Sequence, residues 1–67
     1  THILIVAEVP GITQEDVRLE IHDDILTLAA ERAEKKYRKE MLLPASFSAE
    51  QMSFTCHGGI VEIRLNK

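Results

Sequence analysis

Apolar and polar side chains alternate with a period of two along most of the chain, and no segment shows the 3.6-residue period of an amphipathic helix. Val17, Leu19 and Ile21 alternate with Arg18, Glu20 and His22. Leu26, Leu28 and Ala30 point one way within Ile25 to Ala30, and Tyr37, Met41 and Leu43 share a face in the segment that stops at Pro44. Met52, Phe54 and Cys56 alternate again, as do Val61, Ile63 and Leu65. Ahead of these lies a β-branched apolar run, Ile3 to Val9, closed by Pro10-Gly11. Asp23-Asp24 interrupts the pattern and Gly58-Gly59 reads as a tight hairpin turn. Thr13 to Asp16 suits a single helical turn capped by Thr13, and Ala45 to Gln51 reads as loop. Residues 29–36 are good helix formers but have no apolar face to bury, which argues against a helix. The pattern predicts six short strands, and such strands bury their apolar sides by stacking as two sheets, an all-β sandwich.

Size and charge narrow the function. The 67 residues allow one small domain, and a chain of this size hides only roughly 60% of the surface exposed when unfolded. Eight basic against eleven acidic residues give a net charge of −3, so no overall positive field exists to hold nucleic acid or an anionic membrane, and proteins are the expected partners. Cys56 is the single cysteine and cannot form an internal disulfide, which fits a reducing, cytoplasmic setting. The chain opens on Thr1 without an initiator Met, and is expected to be a fragment of a longer protein.

Residues that could carry chemistry are few. His2, His22, His57 and Cys56 are the only soft ligands and show no paired spacing, so a buried thiol and solvent-facing imidazoles are expected, with no metal. The serines cluster between Ala45 and Ser53 with no activating motif around them, so no catalysis is expected. Gly58-Gly59 is not followed by a helix that could hold a phosphate. The basic cluster Lys35-Lys36-Tyr37-Arg38-Lys39 reads as a solvated strand in an acidic chain, not as a nucleic-acid site.

Five features in fixed order carry more information. They are Val9-Pro10-Gly11-Ile12, Glu15-Asp16-Val17, the run Asp24 to Arg32 ending in Glu31-Arg32, Leu43-Pro44, and the closing Phe54 to Val61 around Gly58-Gly59. Together they resemble the α-crystallin domain of the small heat-shock proteins, over nearly the whole chain. The resemblance implies an immunoglobulin-like sandwich acting as an ATP-independent holdase, which captures partly unfolded proteins before they aggregate and uses no cofactor. It also implies a client or tail groove, placed between the strand holding Leu26 and Leu28 and the strand holding Met52, Phe54 and Cys56.

The sequence departs from the family pattern in several places. Phe54 and Gly58 stand where the closing motif usually has Ala and Asn, and Lys39 stands where an Arg is usual. Only Ala33 to Lys36 separates Arg32 from Tyr37, too short for the long loop whose strand is exchanged between subunits in many members. An amino-terminal arm and an Ile-x-Ile tail are not seen, and Ile63-Arg64-Leu65 is read as the last core strand. A monomer or weak homodimer is therefore expected, formed by edge pairing or by a surface of Leu4, Val6, Leu42 and Ile60, which lie opposite their strands' core sets. The short connection also suits an alternative: a non-chaperone interaction domain, like the co-chaperone sandwiches or the crystallin-like domains appended to targeting ATPases.

Overall fold

A computed structural model describes residues 2–66. Six strands run in chain order: β1 (His2–Glu8), β2 (Val17–His22), β3 (Ile25–Arg32), β4 (Lys35–Leu42), β5 (Met52–His57) and β6 (Ile60–Asn66). They form two three-stranded antiparallel sheets, ordered β1-β6-β5 and β2-β3-β4. The sandwich predicted from alternation is the architecture observed. β3 and β6 occupy the two sheet centres, and β1, β2, β4 and β5 are edges.

Register explains the core. Ile3, Ile5 and Ala7 on β1 lie directly opposite Leu65, Ile63 and Val61 on β6, which in turn oppose Met52, Phe54 and Cys56 on β5. In the other sheet, Val17, Leu19 and Ile21 oppose Ala30, Leu28 and Leu26. Residues on central strands have neighbours on both flanks, and Leu26, Val61, Ile63 and Leu65 are accordingly 0% exposed. Each such side chain contributes about 1.5–3 kcal/mol by leaving water. Val9, Ile12, Leu43 and Phe47 are also buried, although they lie between strands. The last two are held by hydrogen bonds that the Leu43 and Phe47 amides donate to the Asp24 and Asp23 carbonyls, at 2.6 and 3.1 Å.

Two single 3-10 turns, Gln14–Asp16 and Ala49–Gln51, lead into β2 and β5. The first was legible from Thr13, whereas the second lies in the segment read as loop. Both use one device: the third residue's side chain turns back to the capping residue's amide. Thr13 donates to the Asp16 carboxylate from its amide at 3.1 Å and its hydroxyl at 2.9 Å, and the Ser48 amide donates to Gln51 Oε1 at 2.9 Å. These Thr13 bonds, with the Arg32 guanidinium at 3.2 Å, hold the Asp16 carboxyl below the usual carboxylate range.

β4 begins at Lys35, two residues earlier than the alternation suggested, so Ala33-Glu34 alone joins β3 to β4. Ala33 sits at φ 55°, where an L side chain with a Cβ is strained. Ala33→Gly is therefore expected to raise stability by about 1 kcal/mol. A urea midpoint no higher than that of the parent chain would show that the turn carries no such strain.

Candidate functional site

A two-sheet sandwich of edge and central strands has an open seam along each side. The β4 side faces the end of β1: the Tyr37 hydroxyl donates to the Pro10 carbonyl at 2.9 Å. The β5 side faces the segment leading into β2: the Cys56 amide donates to Gln14 Oε1 at 3.3 Å, and Cys56 Sγ lies 3.7 Å from the Ile12 carbonyl. One seam is thus β1/β4 and the other β2/β5.

Several inward-facing side chains on the edge strands are only half-covered, and they define what each seam offers. Ile3, Ile5, Tyr37 and Met41 are half-buried at the β1/β4 seam. The register also places Lys39 on that face, opposite Leu28 and between Tyr37 and Met41, where it remains exposed. An inward-pointing charge of this kind discourages apolar association along an edge. At the β2/β5 seam the corresponding residues are Leu19, Ile21, Met52 and Phe54, all half-buried and all apolar. This second seam is the one suited to an apolar ligand.

The structure redistributes the residues expected in the groove. Met52 and Phe54 line the β2/β5 seam, while Cys56 is buried at its end against Ile12 and Gln14. Leu26 and Leu28 do not line it: they sit on the central strand β3 at 0% and 1% exposure, and belong to the core. Leu19 and Ile21 take their place. Sequence reasoning missed them because alternation identifies a strand's inward face without saying whether that strand is an edge.

The expected surface of Leu4, Val6, Leu42 and Ile60 is likewise not one patch. Leu4, Val6 and Ile60 share the outer face of the β1-β6-β5 sheet, with Ile60 diagonal to Val6. Leu42 lies on the outer face of the opposite sheet, paired with the exposed Ile25. A period-two pattern assigns inside and outside for each strand but cannot say which sheet the strand joins.

The histidines are dispersed: His2 lies beside Asn66, His22 lies at the β2–β3 hairpin, and His57 lies beside the β5–β6 hairpin. No group of three or more His, Cys, Asp or Glu side chains that could hold a metal occurs among the described residues. The basic cluster occupies β4, where Lys36 and Arg38 make exposed ion pairs with Glu31 and Glu40 at 3.8 and 3.7 Å. Among the described residues no helix is long and apolar enough to cross a membrane.

Comparison with known proteins now decides the family. The model of the Hsp20/alpha crystallin family matches residues 1–67. The chain belongs to this family. Its fold is similar to that of heat shock protein 16.0 from Schizosaccharomyces pombe, at a TM-score of 0.80 and 19% identity over 98% of this chain and 76% of that one. No curated protein matches the sequence. The Hsp20 domain is thus a chaperone-type domain, and here its β3 and β4 are joined by a two-residue turn with no strand between them.

Proposed function

We propose that this Hsp20 domain is an ATP-independent holdase that takes extended apolar segments of partly unfolded proteins into the β2/β5 seam. The observation that carries the reading is the uninterrupted apolar lining of that seam by Leu19, Ile21, Met52 and Phe54. An extended segment presents alternate side chains to one face, which suits a slot bounded by two edge strands with free backbone groups. Binding by apolar contact requires neither a nucleotide nor a metal, only exclusion of water. The free, buried Cys56 fits a reducing compartment such as the cytoplasm.

Phe54→Glu tests the seam directly, because the side chain is half-buried on an edge strand and its replacement leaves the central strands intact. A carboxylate held in an apolar contact costs more than the roughly 1–3 kcal/mol of a neutral polar group, so affinity for a fluorescently labelled unfolded client should fall at least about ten-fold. Suppression of client aggregation, followed by light scattering, should fall with it. Unchanged binding in a variant whose circular dichroism matches the parent would rule the seam out. The two-residue β3–β4 turn supports a second reading, a docking domain for one folded partner. Binding to a folded partner with no preference for unfolded clients would favour it.

A further inference from the structure

The outward face of the β2-β3-β4 sheet takes no part in the seam, and its register arranges charge in rows. Leu26, Leu28 and Ala30 of β3 point inward, so Ile25, Thr27, Ala29 and Glu31 point outward. Arg18 and Arg38 lie directly opposite Ala29, one on each side. Glu20 and Glu40 flank Thr27 in the same way, and His22 and Leu42 flank Ile25. A basic row, an acidic row and a row with an exposed apolar pair therefore follow one another along β3, about 6.5–7 Å apart at two residues per step.

Small side chains run along the middle of this face and long charged ones along its flanks, which makes a trough. Ala29 and Thr27 are half-buried at its floor, and above Ala29 it widens into a cleft of about 800 Å³ walled by Arg18 and Arg38. Those two residues stand two strand spacings apart, roughly 10 Å, which leaves room for a carboxylate between two guanidinium groups. Both are available. Arg18 and Glu20 make no ion pair or side-chain hydrogen bond among the described residues. Arg38 meets Glu40 at 3.7 Å with both side chains more than half exposed, a weak pairing that an incoming group can replace. Of the acidic groups in the cleft, Asp16 and Glu31 already hold Arg32 and Lys36 at 3.2 and 3.8 Å, which leaves Glu15 against the two arginines. At the far end of the trough Ile25 and Leu42, paired across the strands, are 41% and 77% exposed.

We propose that this trough takes an extended segment of a partner protein that carries an acidic, a basic and an apolar residue at alternate positions. An extended chain presents alternate side chains to one face at the spacing of the rows. The carboxylate then lies over Ala29 between Arg18 and Arg38, the cation over Thr27 between Glu20 and Glu40, and the apolar group on Ile25 and Leu42. The order of charges selects the segment, because a shift by one row sets like charges together. A nucleic-acid strand fits worse, since it repeats a phosphate at each step and the row beside the arginines is acidic. The inference does not rest on the holdase reading: the seam is lined by inward side chains of β2, the trough by outward ones.

Fluorescence anisotropy tests it with a labelled peptide that has Glu, Lys and Leu at alternate positions and Thr between them. Saturable binding is expected with a Kd of roughly 0.1–1 mM at low salt, weakening as salt is raised. Arg18→Gln combined with Arg38→Gln should weaken binding at least ten-fold. Ala29→Tyr, an outward substitution that suits a strand, fills the trough without altering charge and should do the same. A peptide with a second Glu in place of Lys should bind several-fold more weakly, although a merely basic patch would hold it more tightly. Phe54→Glu should leave the peptide bound, which separates this site from the seam. Absence of saturable binding, or unchanged affinity in either variant whose circular dichroism matches the parent, would overturn the proposal. So would tighter binding of the doubly acidic peptide, or of a single-stranded oligonucleotide, which would assign the arginines to nucleic acid.

Discussion

Leu28→Glu is expected to abolish folding. Leu28 is 1% exposed on β3, the central strand of its sheet, and Leu19 and Lys39 flank it on the two edge strands. Loss of the leucine contacts alone costs about 2–5 kcal/mol, and taking a carboxylate out of water adds several more, which an exposed Lys39 on the neighbouring edge offsets only in part. A domain of 67 residues has roughly 3–10 kcal/mol in total, so the loss is comparable to the whole stability. The variant should show no cooperative urea transition and a circular dichroism spectrum without strand signal. Lowering the pH should restore structure in part, because protonation removes the buried charge while leaving the lost packing. A variant that unfolds with a midpoint near the parent's would show that Leu28 lies at an open surface. Phe54→Glu, half-buried at an edge, is expected to keep the fold and lose the ligand. The pair therefore separates a groove residue from a core residue that shares the same alternation in sequence.

That separation marks the limit of what the sequence reveals. Alternation identifies the inward face of each strand, and on the two central strands the inward sets, Leu26 with Leu28 and Val61 with Ile63 and Leu65, are buried, whereas on the edge strands inward residues such as Met41 and Phe54 are only half-buried. It also places the turns at Pro10-Gly11, Asp23-Asp24 and Gly58-Gly59, where Gly11, Asp23, Gly58 and Gly59 adopt positive φ. Sheet membership is set by long-range pairing, such as Ile3 with Leu65, which leaves no local mark. Hence alternation groups Leu42 with Leu4 although they lie on different sheets, and it does not mark Leu19 and Ile21 as groove residues. Phe47 was hidden for a related reason. It lies in no alternating run, and its burial follows from the path of the 43–47 segment across the β2–β3 hairpin. The family resemblance reached further than periodicity because ordered motifs encode this pairing indirectly.

The clearest case of such encoding is the contact between two of those motifs, and it yields the second large expected effect. Val9-Pro10-Gly11 and Gly58-Gly59 are far apart in the chain, yet the Val9 amide donates to the Gly59 carbonyl at 2.6 Å. A Cβ on Gly59 would stand 2.9 Å from Pro10 Cα and 3.1 Å from the Val9 carbonyl oxygen, both backbone atoms that no side-chain rotation can move. Gly59 also has φ 77°, which costs an L residue about 1–2 kcal/mol before any clash. Gly58 differs in one respect: its φ is 58°, but nothing lies within 4 Å of its Cβ position. Gly59→Ala should therefore destabilise by about 3 kcal/mol, adding the displacement of the β1 end to the φ penalty. Gly58→Ala should lose only the φ penalty of about 1–2 kcal/mol, because its Cβ meets nothing. Urea midpoints measured side by side decide the matter. Equal losses at the two positions would mean that the turn conformation alone requires glycine, whereas a larger loss at Gly59 assigns the excess to the close approach of Pro10, which fixes β1 against β6.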